Sequence, residues 1–222
     1  MRIVKFIARA GICSRRQAES LLIAKKITIN DKIILSPSTQ VTDNDIVKYN
    51  GKIITLKALE VFLYYKPKGY ITTRHDPQNR KTIYDNLPSY LHNFITVGRL
   101  DINSEGLLLL INDGEYKRFL ELPRNKIART YKVRIYGKFN KKHKNTIEKG
   151  IHIENILYQA KSVSIIKTGV NSWLEVTLEE GKNREIRKIF NHLGYQVNRL
   201  IRTAYGKYHL DNLKAGEYKQ LF

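Results

Sequence analysis

Gly98-Arg99-Leu100-Asp101-Ile102-Asn103-Ser104-Glu105-Gly106-Leu107-Leu108-Leu109-Leu110-Ile111 is the stretch on which the reading of this chain turns. Phe94-Ile95-Thr96-Val97 before it is apolar and strand-like, and Leu107–Ile111 is an unbroken apolar run. The polar residues between them therefore form a loop joining two buried strands. A carboxylate in such a loop is held by rigid neighbours and opens to a cleft, which is what catalysis asks of it. Taken alone, a loop aspartate such as Asp101 more often caps a turn, so the flanking sequence has to decide.

Working outward, Val61–Tyr65, Thr130–Tyr136, Tyr158–Ile166 and Trp173–Leu178 are rich in β-branched or aromatic residues and read as strands. Helices are expected around Lys141–Lys149 and from Asn183 to Leu193. In the second, Ile186, Ile189, Phe190 and Leu193 recur at i, i+3, i+4 and i+7, and Gly194 sits at the stop. Residues 61–222 are thus expected to form an α+β domain with a mixed, largely antiparallel central sheet flanked by helices. Residues 1–56 read as a separate small unit, with 57–60 as a linker. Val4–Ala10 is a first helix ended by Gly11, and Ser14-Arg15-Arg16-Gln17 has capping-box spacing for a second. Ile27-Thr28-Ile29 and Ile33-Ile34-Leu35 flank the hairpin signal Asn30-Asp31-Lys32, Asp45–Tyr49 follows as a strand, and Lys52–Glu60 reads as a polar separator.

Composition narrows the class of partner. Lys and Arg total 40 against 20 for Asp and Glu, a net charge of +20 that draws polyanions to the surface. No apolar run approaches the roughly 20 residues of a spanning helix, and Met1–Arg9 lacks a secretory pattern, so no membrane role is expected. Cys13 is the single cysteine and the six histidines are scattered, so a reducing cytoplasm and no metal are the expectation. Arg9, Arg15, Arg16, Lys25 and Lys26 lie on or beside the first helices. Arg199, Arg202, Tyr205 and Tyr208 are interleaved with other residues through Arg199–Tyr208, a combination that stacks on unpaired bases and contacts phosphate. Arg74-His75-Asp76-Pro77-Gln78-Asn79-Arg80-Lys81 reads as a mobile polar loop able to engage RNA.

Several of these segments together resemble the RsuA/RluB-type ribosomal RNA pseudouridine synthases. Gly98-Arg99-Leu100-Asp101 with Ser104-Glu105-Gly106-Leu107-Leu108 is similar to their signature. Lys66-Pro67-Lys68-Gly69-Tyr70 with Thr72-Thr73, Ala128-Arg129-Thr130-Tyr131-Lys132-Val133, Glu180-Gly181-Lys182-Asn183-Arg184-Glu185-Ile186-Arg187, Arg199-Leu200-Ile201-Arg202 and Gly216-Glu217-Tyr218 follow in the family's order. The first unit resembles the α-L type RNA-binding domain that members carry, except that Asp31 stands where a glycine is usual; Asp tolerates left-handed backbone.

The resemblance implies a cofactor-free isomerisation of a uridine in ribosomal RNA, with Asp101 as nucleophile on the sugar or as base on a sugar proton. It implies Tyr131 stacking on the extracted uracil. Arg187, just off the apolar stripe of its helix, is the expected ion-pair partner that keeps Asp101 ionised. Arg184 and Lys188 are expected to contact phosphate, Arg99 the vacated stack or a phosphate, and Arg74, Arg80, Lys81, Lys182, Arg199 and Arg202 the RNA more generally. The uridine must first leave its helix, at a cost of a few kcal/mol. The partner is expected to be ribosomal RNA or an assembly intermediate, met by a monomer, with no DNA target. Asn183-Arg184-Glu185-Ile186-Arg187 favours members that act on large-subunit RNA. A small-subunit target, or a non-catalytic RNA-binding or ribosome-assembly protein on the same fold, remains the alternative.

Overall fold

The computed structural model describes residues 1–222. The N-terminal unit comprises α1 (Ile3–Arg9), α2 (Arg15–Ile23), β1 (Ile27–Ile29), β2 (Lys32–Ile33), β3 (Val47–Tyr49) and β4 (Lys52–Ile53). Ser14 caps α2 as its spacing predicts: the Gln17 amide donates to its hydroxyl, and the Gln17 side chain accepts from the Ser14 amide at 3.0 Å. Asn30 and Asp31 carry φ of 49° and 65°, so the hairpin turn accepts Asp in the left-handed region. One expectation is corrected here. Lys52–Ile53 pairs with β3 across the Asn50-Gly51 turn, so the first sheet, ordered β2-β1-β3-β4, extends into the supposed separator. Ile3, Ile7, Ala18, Leu22 and Ile27, all fully buried, form this unit's core.

Beyond it come β5 (Val61–Lys66), β6 (Ile95–Val97), β7 (Glu105–Ile111), α3 (Gly114–Glu121), β8 (Arg129–Tyr136), α4 (Lys142–Lys149), β9 (Ile151–Ile153), β10 (Ile156–Tyr158), β11 (Ser162–Lys167), β12 (Asn171–Leu178), α5 (Glu185–His192), β13 (Val197–Tyr205), β14 (Tyr208–His209) and β15 (Tyr218–Gln220). The stretch expected as one strand over 158–166 is two, because β10 turns back on β9 and the chain re-enters the large sheet only at Ser162. Helix α3 was not expected: Asn112-Asp113-Gly114 has the composition of a turn, yet Asp113 is a cap whose carboxylate accepts from the Glu115 and Tyr116 amides.

The nine-stranded sheet runs β11-β12-β8-β13-β7-β5-β15, with β6 on β7 and β14 on β13. Every ladder is antiparallel except β13 on β7, which makes the sheet mixed. Strands β5 and β7 are buried on both faces, which explains their unbroken apolar sequences. Val61, Leu63, Leu107, Leu109 and Ile111 face a core with α3, whereas Phe62, Tyr64, Leu108 and Leu110 face one closed by residues 83–94. On the other half of the sheet, Val133, Leu174 and Val176 pack beneath α4 and α5 through Ile147, Ile189 and Phe190. The N-terminal unit touches the larger one at the start of α3, where Arg9 meets Asp113 at 3.0 Å and Lys5 meets Glu115 at 3.1 Å.

The parallel ladder imposes the tightest backbone contact. Gly106 has φ of +105°, and a Cβ there would lie 2.3 Å from the Arg202 carbonyl oxygen and 2.7 Å from the Arg202 nitrogen. Gly106→Ala is therefore expected to destabilise the protein by about 3 kcal/mol or more, because backbone must move on both strands. Gly51→Ala, at φ +77° in open space, should cost only about 1 kcal/mol. Denaturant unfolding of the two variants reads the difference.

Candidate active site

Asp101 sits in the loop between β6 and β7, and four residues pin that loop. Lys66, the last residue of β5, is fully buried. Its ammonium donates to the carbonyls of Pro67 (2.9 Å), Asp101 (3.2 Å) and Ser104 (2.8 Å), which uses the three donors an ammonium owns. Burial pulls its pKa down to about 8, opposed by the nearby Asp101 and Glu105 charges. The buried Thr72 hydroxyl donates to the Leu100 carbonyl at 2.9 Å and accepts from the Leu100 amide at 3.2 Å. The Gly69 amide donates to the Ile102 carbonyl, and Arg187 Nη2 donates to the Asn103 carbonyl at 2.9 Å. Backbone on both sides of Asp101 is thus fixed before any substrate arrives.

The Asp101 side chain opens into a cavity of about 550 Å³, a size suited to a nucleotide. Strand β8 contributes Arg129 and Tyr131 to its wall, β13 contributes Leu200 and Arg202, and the entry to α5 contributes Lys182, Arg184, Glu185 and Ile186. Tyr131 is mostly buried and lines the same cavity as Asp101. The ion-pair expectation requires correction. Arg184, not Arg187, meets Asp101, with Nη1 and Oδ2 at 3.6 Å. Arg184 adopts a left-handed φ of 52° as the residue capping α5, so the helix begins at Glu185 rather than Asn183. That turn swings Arg184 over the cavity. Arg187 faces the opposite side, donating to the Val197 and Asn103 carbonyls, and lines a second concavity of about 430 Å³ with Arg184 and Lys188. Burial and the neighbouring Arg184 charge lower its pKa, and the Asp101 charge opposes them. Its direct contact with the Asp101 loop is made through the Asn103 carbonyl.

The remaining basic residues divide by what already holds them. Arg15, Arg16, Lys25, Lys26, Lys81 and Arg99 are exposed. Others expected at RNA are engaged within the protein. Arg9 is tied to Asp113 and Arg199 grips Glu105 through two bonds at 2.7 and 3.1 Å. Arg74 donates to the His92 and Phe94 carbonyls and lies over the Tyr84 ring. Arg80 forms a two-pronged pair with the buried Asp76 carboxylate, holding it at about 2. These pairs brace the loop expected to be mobile over 74–81, because Asp76 leaves solvent only by capturing Arg80. Lys182 and Lys188 both approach the Tyr158 ring. Arg202 is buried rather than surface-displayed.

Lys66, Thr72 and Arg129 lie inside the motif segments, but their residue types alone do not mark them as parts of the site. Arg129 lies two residues before Tyr131 in a strand, and that spacing places both on one face. Glu121, also on the cavity wall, carries no recognisable sequence signal, and Glu185 lies inside a motif segment without a role assigned to it. No group of three His, Cys, Asp or Glu side chains is placed to hold a metal. No helix is long and apolar enough to cross a membrane.

Comparison with known proteins bears on this geometry. Residues 60–192 match the RNA pseudouridylate synthase family model, and residues 1–47 match the S4 domain model. The chain is 45% identical over 222 residues to an uncharacterized RNA pseudouridine synthase of Rickettsia conorii, covering 99% of this chain and 96% of that one. It is 36% identical over 229 residues to ribosomal large subunit pseudouridine synthase B of Pasteurella multocida, covering 99% of this chain and 66% of the relative. A crystal structure of a pseudouridylate synthase superposes with a TM-score of 0.71 at 27% identity, covering 100% of this chain and 96% of that one. With the sheet, the N-terminal unit and these matches in agreement, the chain belongs to the RNA pseudouridylate synthase family and is an isomerase fitted with an S4 domain.

Proposed function

We propose that this enzyme converts a uridine of large-subunit ribosomal RNA to pseudouridine, with Asp101 as the catalytic carboxylate acting on a nucleotide turned out of its helix. The observation that carries the reading is the convergence of Asp101, Tyr131 and Arg184 on one nucleotide-sized, basic cavity. The large-subunit assignment is supported by relatives bearing that name, such as those of Pasteurella multocida and Vibrio cholerae, each 36% identical.

The chemistry needs little beyond these groups. The bond from ribose C1′ to uracil N1 breaks, the base rotates, and a bond from C1′ to C5 forms. The proton leaving C5 balances the one gained at N1, so no atom or electron is exchanged with a co-reactant. Asp101 either attacks C1′ or removes the C2′ proton, and in both routes it acts as an anion. Arg184 meets Asp101 at 3.6 Å in a pair open enough to solvent to contribute below about 1 kcal/mol to stability, which leaves it free to move when RNA enters. Tyr131 offers an aromatic face to the base. Arg187 is a positioning residue that holds the loop at Asn103. A stacked uridine cannot reach a carboxylate inside this cavity, so extrusion of the base is part of the reading. The exposed Arg15, Arg16, Lys25 and Lys26 supply phosphate contacts from the S4 domain.

The decisive experiment maps pseudouridines in ribosomal RNA from cells with and without the gene; one site should disappear from the large subunit. Returning the gene as Asp101→Asn should leave that site unmodified, with the purified variant at least roughly a thousandfold slower and RNA binding retained. Restoration of the site by the Asn variant refutes the assignment. Replacing Arg15, Arg16, Lys25 and Lys26 together by Gln should lower the slope of log affinity against log salt by about 3, with turnover at saturating RNA unchanged; a filter-binding salt series reads it. Lys66 gives a pH signature. Above about 8 its ammonium loses a proton and one of three donors, so turnover should fall on that alkaline limb. The unfolded chain holds the same proton up to the ordinary value of 10.5, so this group's contribution to stability rises between about 8 and 10.5. Lys66→Met should lose both dependences, as parallel rate and unfolding profiles would show.

A further inference from the structure

Arg129 on β8 and Arg202 on β13 are both buried, at 8% and 2% exposure, and both open onto the cavity that holds Asp101. Their guanidinium carbons lie 4.9 and 5.1 Å from the centre of the Tyr205 ring. Arg129 donates to the Glu179 carbonyl (3.2 Å) and the Tyr205 hydroxyl (2.9 Å). Arg202 Nε donates to the Leu107 carbonyl at 2.7 Å, but its Nη2 is buried without a partner. Neither arginine belongs to any of the chain's ion pairs. None of the carboxylates lining the same cavity comes within ion-pair distance of either arginine. Glu121 accepts from the Gly98 amide at 2.6 Å and from Lys117. Glu185 accepts from the Lys182 amide at 3.0 Å and keeps its other carboxylate oxygen buried without a partner; burial pushes its carboxyl toward the neutral form, and the nearby Lys182 and Arg129 charges oppose that.

Two like charges around one ring, withdrawn from water with no carboxylate in direct contact with either, are an unfavourable arrangement in an unliganded protein. Bracing β13 against β7 explains Arg202 Nε. It does not explain a free donor beside the cavity or a second guanidinium next to it. Uracil is neutral and would leave both charges uncompensated. A phosphodiester carries a full charge over two oxygens, which is what planar guanidinium donors match.

We infer that Arg129 and Arg202 form a buried subsite for a phosphate of the RNA strand, the one attached to the nucleotide whose base meets Asp101 and Tyr131. The inference deepens the proposed function and rests on it for the identity of the strand. The subsite differs in kind from the exposed Arg99 and Arg184 at the rim, because buried charge is screened far less by salt. It anchors the sugar from its phosphate side while the base is free to detach and rotate.

The test is calorimetric titration of the intact enzyme with uridine, uridine 5′-monophosphate and uridine 3′-monophosphate, at low and high salt. One monophosphate should bind roughly tenfold or more tightly than uridine, and the preference should persist at high salt. Arg202→Gln and Arg129→Gln should each bring that monophosphate to the level of uridine while leaving uridine binding unchanged. Should Arg202→Gln fail to fold, as its melting curve would show, Arg129→Gln carries the test alone. Asp101→Asn should keep the preference, so a failure of the phosphate subsite and a failure of the catalytic assignment are read separately. Equal binding of all three compounds by the wild type, the absence of binding by any of them, or a preference that survives the folded Gln variants overturns the inference.

Discussion

A single ammonium, sealed from solvent at the end of β5, organises the catalytic half of this molecule. Lys66 has no carboxylate bonded to it; its charge is met by three backbone carbonyls, two of them from the loop that carries Asp101. Burying a lone cation costs several kcal/mol unless its donors are met, and here meeting them requires the loop to fold back over β5. The loop's shape is therefore fixed by the lysine's need for partners. Thr72, Gly69 and Arg187 add contacts from three further directions. Asp101 stands on backbone that cannot drift far without stripping the lysine of its acceptors.

The rest of the cavity follows from how strands alternate. Residues Arg129 and Tyr131 share a face because they are two apart on β8, and Leu200 and Arg202 do so on the adjacent β13. A sheet thus offers a wall of paired cationic, aromatic and apolar groups, while the entry to α5 closes one side. The positive surface outside has a separate task. It gathers RNA by long-range attraction, whereas the interior cations act on individual atoms.

Much of this was legible in the sequence. The capped second helix, the Asn30-Asp31 turn, the buried strand that follows the Asp101 loop and the amphipathic helix after Glu185 each follow from local rules. What escaped was governed by geometry beyond any window of sequence. Helix α3 hid behind a glycine at its first position and an aspartate that serves at once as its cap and as the partner of Arg9. The carboxylate's partner was misplaced because one residue, Arg184, leaves helical geometry and rotates its side chain across the entrance. Arginines that composition marks as RNA contacts are in several cases spoken for by buried carboxylates or carbonyls. Nothing in the identity of Arg74, Arg80 or Arg199 separates them from Arg15 or Arg99.

The order of strands has a consequence for how the enzyme comes into being. Strand β13 lies between β7 and β8 and joins the two halves of the large sheet, yet it is one of the last elements synthesised. Until it arrives, the halves holding Asp101 and Tyr131 each present an open strand edge to their surroundings. The partner residues Gly106 and Arg202 are brought together across a wide span of chain, a slow kind of closure. A nascent chain can therefore own both the carboxylate and the phenol and still lack a catalytic chamber, which comes into existence only when the closing strand slides into the gap.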